Sequence, residues 1–494
     1  MASAMTMRHL LAPWAMSAPD EPVTGLTMHS ADAVAGGVFL AVAGEHGHGM
    51  QYLDQALAAR VRLVIGEPAA GLDAVALDAR CQAAGAHLVM CPELHRYVGE
   101  IAARYFDYPA NALRVVGVTG TDGKTSVVHY IAQLLTALGV RCGVLGTLGY
   151  GLPGDLLPTR HTTPDPVSLQ AQLRAAAAAG ASAVAMEVSS HALAQARVSA
   201  ISFHTAVLTY LGRDHLDYHG SVEAYAAAKR QLFLSPDLAY RVINNDDSLG
   251  RELSALTDQV ATCGYGAGAE NAWQILEVQA LPDGLLIRLR HAGLVHSLRL
   301  PLMGLFNAAN VVAAIAAASW DQPAEAVIKA TAAIQPVPGR MERFIASDGP
   351  LVVVDYAHTP GALEAALQAL RQHSTGHLWC VFGCGGDRDS GKRALMGEVA
   401  SRLADRVVLT SDNPRSESPS GIVRDISEGI GRMDQVSVEL DRATAIAGVI
   451  EQAHADDVVL IAGKGHETVQ WLGQQAVPFS DREQVEQQLL RRAS

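Results

Sequence analysis

The stretch RVVGVTGTDGKTSVVHYIAQLL, residues 114–135, constrains the fold more than any other part of the chain. An apolar run (Val115, Val116, Gly117, Val118) stops at a glycine-rich turn, and apolar residues then return at helical spacing in Val127, Val128, Ile131, Leu134 and Leu135. The pattern predicts strand, loop and helix in that order. Gly117, Gly120 and Gly123 let the backbone curl closely around an anion, and the N–H groups that open the helix favour negative charge there. Lys124 then reaches the outer phosphates of a nucleotide, and Thr125 offers a hydroxyl to the accompanying magnesium. The spacing departs from the standard phosphate loop, because Val118 stands five positions before Gly123 and the glycine, Gly117, comes one earlier. The strand-to-helix context therefore carries the assignment; a glycine-rich turn with a surface lysine is the competing reading.

A chain of 494 residues is too long for one ordinary core, and its length suggests about three domains. The acidic excess, 50 against 37 basic residues, gives a net charge of −13 and argues against a nucleic-acid surface. Any phosphate ligand must be met by local positive charge. The six cysteines (Cys81, Cys91, Cys142, Cys263, Cys380, Cys384) form no CxxC pair, so neither a disulfide framework nor a zinc site is expected, and a reducing cytosol fits. Pro13, Pro19 and acids interrupt the N-terminal segment before a signal sequence forms, and apolar stretches such as residues 311–320 fall short of a membrane span. A soluble, cytoplasmic protein with no membrane partner is expected.

Along the chain, residues 1–111 read as a small α/β domain, with strands at Val38 to Val42, VRLVIG and AHLVMC. Its glycine loop carries His46 and His48, which lack partners at metal-ligand spacing and read as loop histidines. A second domain, 112–337, starts with the phosphate loop. There the strand ASAVAME ends on Glu187, a position suited to magnesium or to capping the next turn. Asp214, His215, Asp217 and His219 form either a metal site or a solvated loop. Lys229 stands beside Ala226, Ala227 and Ala228 with Phe233 one turn on, so its amine emerges from a fairly apolar face; from the residues alone, a snorkelling surface lysine is the prevailing reading. Residues 273–304 alternate as antiparallel strands with a turn at Pro282, Asp283 and Gly284. Asn307 and Asn310 then open a small-residue helix, as caps or as nucleotide contacts. PVPGRME reads as a linker, and its Arg340 is suited to phosphate. Residues 338–494 form a third α/β domain, whose strands run into the polar loops 355–360, 385–388, 412–415 and 463–467. In an open parallel sheet those loops share the ligand-binding edge. Arg415 in DNPR suits a carboxylate, Asp412 an ammonium, and Pro414 stiffens the loop between them.

The motifs GVTGTDGKTS, HTTPD, MEVSSHAL, DHLDYHG, YAAAK, GLFNAAN, PGRME, DYAHTP, FGCGGDRDSGKR, DNPR and GKGHE follow the order found in the Mur ligases, and the chain resembles that family over nearly its whole length. The resemblance implies a central P-loop-type ATPase sheet flanked by a small N-terminal α/β domain and a C-terminal Rossmann-like domain. It is nearest to the branch that adds meso-diaminopimelate to UDP-N-acetylmuramoyl-L-alanyl-D-glutamate at the expense of ATP, with Mg2+, as a monomer without nucleic-acid or membrane partners. By that resemblance Ser30, His46 and His48 would contact the UDP moiety, and Thr162, Thr163, Ser189, Gln195 and Arg197 the muramoyl dipeptide. Gly120, Thr121, Asp122, Gly123, Lys124, Thr125, Ser126, Asn307, Arg340 and Asp355 would hold ATP, with His358 among the catalytic groups. Thr125, Glu187, His215 and Lys229 would serve magnesium, Lys229 as the carbamate N6-carboxylysine. Arg388, Asp412, Asn413, Pro414, Arg415, Gly463 and Glu467 would bind diaminopimelate, with DNPR separating this acceptor from lysine. Asp122, Tyr210 and Ala31 depart from the residues commonest in the family at those places. A lysine-adding relative and a folylpolyglutamate synthetase-like ligase are the nearest rivals; a nucleotide-driven switch is the rival of another class.

Overall fold

The computed structural model describes residues 5–14, 16–44, 47–212, 214–346 and 349–492. The chain divides into two compact units, Met1–Gly264 with Ala313–Gln322, and Tyr265–Val312 with Pro323–Ser494.

In the first unit, Leu26–Thr27, Val38–Ala41, Leu63–Gly66 and His87–Met90 pair in that order as a parallel four-stranded sheet. A second sheet is centred on Arg114–Thr119, with Thr205–Leu208 on one side and Ala183–Glu187 on the other, all parallel. Tyr240–Asn244 extends it beyond Thr205–Leu208, and Cys142–Gly146 beyond Ala183–Glu187. The central strand is covered on both sides, as its unbroken apolar sequence requires. The helix Lys124–Ala137 follows at once, burying Val127, Val128, Ile131, Leu134 and Leu135. Each such side chain contributes about 2 kcal/mol by leaving water. Loop and helix are thereby anchored at the C-terminal edge of the sheet, where Val118 pairs with Glu187 and Thr119 with Leu208.

In the second unit, Trp273–Leu281, Gly284–His291 and Leu294–Leu300 form the expected antiparallel meander. The remaining sheet runs Glu342–Ile345, Leu351–Asp355, Val458–Ala462, Leu378–Phe382, Arg406–Leu409, Val436–Val438, with only the first strand antiparallel. Side chains alternate between two cores with the period of the pleat. Val353, Cys380, Phe382, Leu409 and Leu460 meet Leu363, Leu367, Met396 and Ile426 on one face. Val352, Val354, Val381, Val408 and Val459 meet Ile446, Val449 and Leu489 on the other. Five parallel strands thus deliver their loops to one edge. The six cysteines are buried and form no disulfide, and no helix among the described residues is long and apolar enough to cross a membrane.

Candidate active site

The phosphate loop has little freedom. Gly120 has φ +152°, and a Cβ there would lie 1.9 Å from Thr209 Oγ1. That hydroxyl is committed to the loop, donating to Asp122 O at 2.6 Å. Thr121 Oγ1 accepts from Gly212 N–H at 2.8 Å and sits 3.1 Å from the Tyr225 hydroxyl. Gly123, at φ 83°, caps the helix, and the Asp122 side chain is exposed. Lys124 Nζ folds back on the loop, donating to Gly120 O at 3.0 Å and Thr121 O at 2.7 Å. Ser126 is buried one turn into the helix.

Glu187, 2% exposed, links four segments. Its Oε2 accepts from Thr125 Oγ1 at 3.0 Å, its Oε1 from Thr147 N–H at 2.7 Å, and its carbonyl from Thr163 Oγ1 at 2.9 Å. The carboxylate fits only because residue 146 is glycine: a Cβ there would lie 2.2 Å from Oε1. Thr163 also accepts from Ser189 N–H, and its carbonyl takes a 2.8 Å bond from Arg197. Arg197 in turn donates to Gln195 Oε1, and Thr162 Oγ1 is 3.0 Å from Thr147 Oγ1. Ser189 caps the helix Ser190–Ala194. The expected dipeptide-binding residues are thus one connected set.

Lys229 corrects the surface reading suggested by local periodicity. It is 1% exposed, donates to Gly120 O at 2.7 Å, and lies 4.3 Å from the Tyr225 ring centroid. Burial, and then the charge of Lys124, push its amine down to about 6. Two lysines therefore converge on the Gly120 carbonyl. His215 stands apart from Glu187 in its contacts: its Nε2 lies 3.4 Å from Asp214 and its ring 4.8 Å from His191. His219 bonds Ser190 Oγ at 3.0 Å. Among the described residues no group of three or more His, Cys, Asp or Glu side chains is placed to hold a metal by itself. Thr125 and Glu187 are nonetheless hard oxygen donors in contact, a donor type that suits magnesium.

In the same unit, Ser30 Oγ donates to Gln55 Oε1 at 2.8 Å. His48 Nδ1 accepts from Met50 N–H, and its buried Nε2 has no hydrogen-bond partner among the described residues. His46 lies outside the described residues. The Ser30 turn is joined to the HTTPD segment by ion pairs: Arg160 is bidentate to Asp32 at 2.8 and 3.0 Å, and His29 is 3.3 Å from Asp165. The Asp165 carboxylate holds the His29 imidazole above its ordinary range.

In the second unit, Gly463 N–H donates to Asp355 O at 3.1 Å, Arg415 to Gly386 O at 2.7 Å, and Asn413 Nδ2 to Glu467 Oε2 at 2.8 Å. The four polar loops therefore form one edge, as the strand pattern predicts. A Cβ on Gly386 would sit 1.9 Å from Pro414 O, so the loops approach backbone to backbone. Asp412 is 8% exposed, and burial raises its carboxyl, opposed by Arg442 and Lys464. Arg388 is exposed on this edge. The PGRME segment is tied down: Met341 N–H donates to Asp355 Oδ2 at 2.7 Å, and Arg482 is bidentate to Glu342. Both Asp355 oxygens serve backbone N–H groups, of Met341 and Ala357. Arg340 lies 4.8 Å from the Tyr356 ring centroid, and its buried Nε has no hydrogen-bond partner among the described residues. His466 and His358 flank the same ring at 5.0 and 4.6 Å. Burial, and then Arg340, push His466 down to about 4. Asn307 Nδ2 donates to Met303 O at 2.8 Å, and its Oδ1 accepts from Asn310 Nδ2 at 3.0 Å.

Sequence reasoning missed Gly146, Thr147, Tyr225, Tyr356, Lys464 and His466. Tyr356, Lys464 and His466 sit inside the strand-end segments DYAHTP and GKGHE, and that position was the available signal. Gly146, Thr147 and Tyr225 act across segments distant in sequence.

Residues 118–318 match the Mur ligase middle domain, and residues 339–465 match the Mur ligase glutamate ligase domain. A UDP-N-acetylmuramoyl-L-alanyl-D-glutamate–2,6-diaminopimelate ligase of Alkalilimnicola ehrlichii is 51% identical, covering 98% of this chain and 99% of its own. The chain belongs to the Mur ligase family. The ligase of the same description from Pseudomonas aeruginosa is 45% identical over 94% of each chain. A solved structure of a UDP-N-acetylmuramoyl-L-alanyl-D-glutamate–2,6-diaminopimelate ligase superposes with TM-score 0.71 at 34% identity over the full length of both chains. A MurF structure from Acinetobacter baumannii, 18% identical with TM-score 0.65 and 99% coverage of both chains, shares the fold. The Mur ligase fold thus accounts for the α/β architecture and for loops gathered at strand ends.

Proposed function

We propose that this Mur ligase joins meso-diaminopimelate to UDP-N-acetylmuramoyl-L-alanyl-D-glutamate, with ATP as co-substrate, in a cytoplasmic step of peptidoglycan precursor synthesis. The observation that carries the reading is the 51% identity, over 98% of the chain, to a ligase of that description. The DNPR loop, packed on Glu467 and Gly386, supports it. In this reading residues 1–111 bind the UDP moiety, 112–337 ATP and 338–494 the incoming amino acid.

The D-glutamyl carboxylate attacks the γ-phosphorus, ADP departs, and an acyl phosphate remains. The free amine then attacks the acyl carbon, phosphate leaves, and the amine gives up its proton. Lys124 and the N–H groups of the loop neutralise the transferring phosphoryl oxygens. Thr125, Glu187 and the carbamate of Lys229 would hold magnesium, which supplies further charge neutralisation at those oxygens. Thr163, Arg197 and Gln195 hold the acceptor carboxylate in line. Arg340 and His358 complete the nucleotide contacts. Arg415 and Arg388 take the carboxylates of diaminopimelate, and Asp412 and Glu467 the ammonium of the amino group that does not react.

ADP formation with the UDP-linked dipeptide, comparing meso-diaminopimelate with lysine, tests the reading. Turnover should need both co-substrates and fail with lysine; ADP release without an amino acid would favour a switch ATPase. Arg415→Ala should raise the KM for diaminopimelate about ten- to hundredfold, the worth of a charge-assisted pair, with kcat little changed. An unaltered KM would remove Arg415 from the acceptor site.

A further inference from the structure

The chain has five lysines among its 37 basic residues. Lys124 and Lys229 meet at the phosphate loop, Lys392 donates to His358 O, and Lys329 is exposed on the helix Ala324–Ala330. Arginine thus serves nearly everywhere that a positive charge suffices. A lysine offers something different, a compact ammonium with three tetrahedral donors.

Lys464, the fifth, is 0% exposed. A buried ammonium is tolerable only if its donors are satisfied, and here all three are. Nζ donates to Asn413 Oδ1 at 3.1 Å, Glu467 Oε2 at 2.8 Å and Val469 O at 2.8 Å. Asn413 Oδ1 also accepts Trp471 N–H at 3.0 Å, so two donors fix which end of that amide is oxygen. Its Nδ2 must then face Glu467 Oε2, which it reaches at 2.8 Å. Glu467 Oε2 is therefore occupied twice. Glu467 Oε1 receives no hydrogen bond from the described residues, nor does Asp412 Oδ2, whose partner oxygen Oδ1 takes Asn413 N–H. Gly463, at φ +114°, leaves Asp412 Oδ2 open, since a Cβ there would lie 2.6 Å away.

We infer that Lys464 is the positioning residue of the amino-acid edge: by occupying Asn413 Oδ1 and Glu467 Oε2, it leaves Glu467 Oε1 turned to an ammonium of the incoming diamino acid. The inference rests on the reading of this edge as the diaminopimelate site. Lys464 itself touches no substrate, since its three donors are used within the protein.

Lys464→Met should raise the KM for meso-diaminopimelate at least about tenfold, a factor set by loss of a charged hydrogen bond, while the KM values for ATP and the UDP-linked dipeptide stay as in wild type. Because Lys464 acts through Glu467, adding K464M to E467Q should raise that KM by less than about twofold further. Effects that multiply, or a KM for ATP that rises in step, overturn the assignment. Should K464M not fold, the wild-type protein carrying 15N-lysine supplies the test. Of its few lysine ammonium signals, the one perturbed by E467Q should resist solvent exchange and move with meso-diaminopimelate but not with ATP. A signal that exchanges freely, or that ignores meso-diaminopimelate, overturns the assignment. Failure of the underlying functional reading would appear separately, as absence of turnover with meso-diaminopimelate in the wild-type enzyme.

Discussion

Lys124→Ala should remove ADP formation almost entirely, by about a thousandfold or more, because one preorganised donor to a developing oxyanion is worth two to three powers of ten and this ammonium also neutralises charge. Its Nζ rests on the Gly120 and Thr121 carbonyls, at the mouth of a loop whose glycine has no room for a side chain. Those carbonyl contacts are weaker acceptors than phosphate oxygens, so the side chain is stored where nucleotide draws it outward. Lys124 opens the helix and lies outside its apolar core, so the variant should fold and bind the UDP-linked dipeptide as wild type does. Equilibrium binding of that substrate, measured beside ADP release, separates a chemical defect from a structural one. Residual turnover above about a tenth of wild type would be too large for a residue acting on the transferring phosphoryl group.

The phosphate loop was legible because one physical period gives way to another within twenty-two residues: a buried strand, glycines, then a helix stripe. The C-terminal edge was legible for a similar reason, as every buried strand there runs into a polar loop and parallel pairing brings those loops together. Lys229 was not. Three alanines beside it put its amine on a fairly apolar face from which a lysine ordinarily snorkels to water, whereas its burial is made by the Gly120 carbonyl and the Tyr225 ring. The family resemblance, not periodicity, pointed to it. Lys464 carried only the signal of its place in GKGHE, since its third acceptor, Asn413, comes from a segment distant in sequence and meets Glu467 and Val469 only in the fold. The PGRME segment reads as a linker from its prolines and glycine, yet Glu342 is gripped by Arg482 far along the chain. Asp355, expected at the nucleotide, spends both oxygens on backbone N–H groups, a use of carboxylates that sequence does not separate from ligand binding.

Lys229→Met should lower kcat about a hundredfold or more, the scale on which removal of one electrostatic stabiliser acts, and should abolish any dependence of activity on dissolved carbon dioxide. An amine pushed down to about 6 is largely unprotonated at neutral pH, and only the free amine adds to carbon dioxide, forming a C–N bond and releasing one proton. The product is an anion in place of a latent cation, beside the Lys124 ammonium. Carbamylation should therefore be favoured above that value and fall away as pH drops through it, so that wild-type activity in carbon dioxide-depleted buffer recovers on adding bicarbonate. 13C-bicarbonate should give a carbamate carbon signal in the wild type and none in Lys229→Met. The unmodified protein carries a linked signature in its stability. Unfolded, Lys229 holds its proton up to the ordinary lysine value near 10.5, but folded only below about 6. Between those values the unfolded state binds more protons, so stability rises with pH across that window and the rise should be smaller in Lys229→Met. A methionine variant with wild-type kcat would show that the buried amine is a packing feature rather than part of the phosphoryl site.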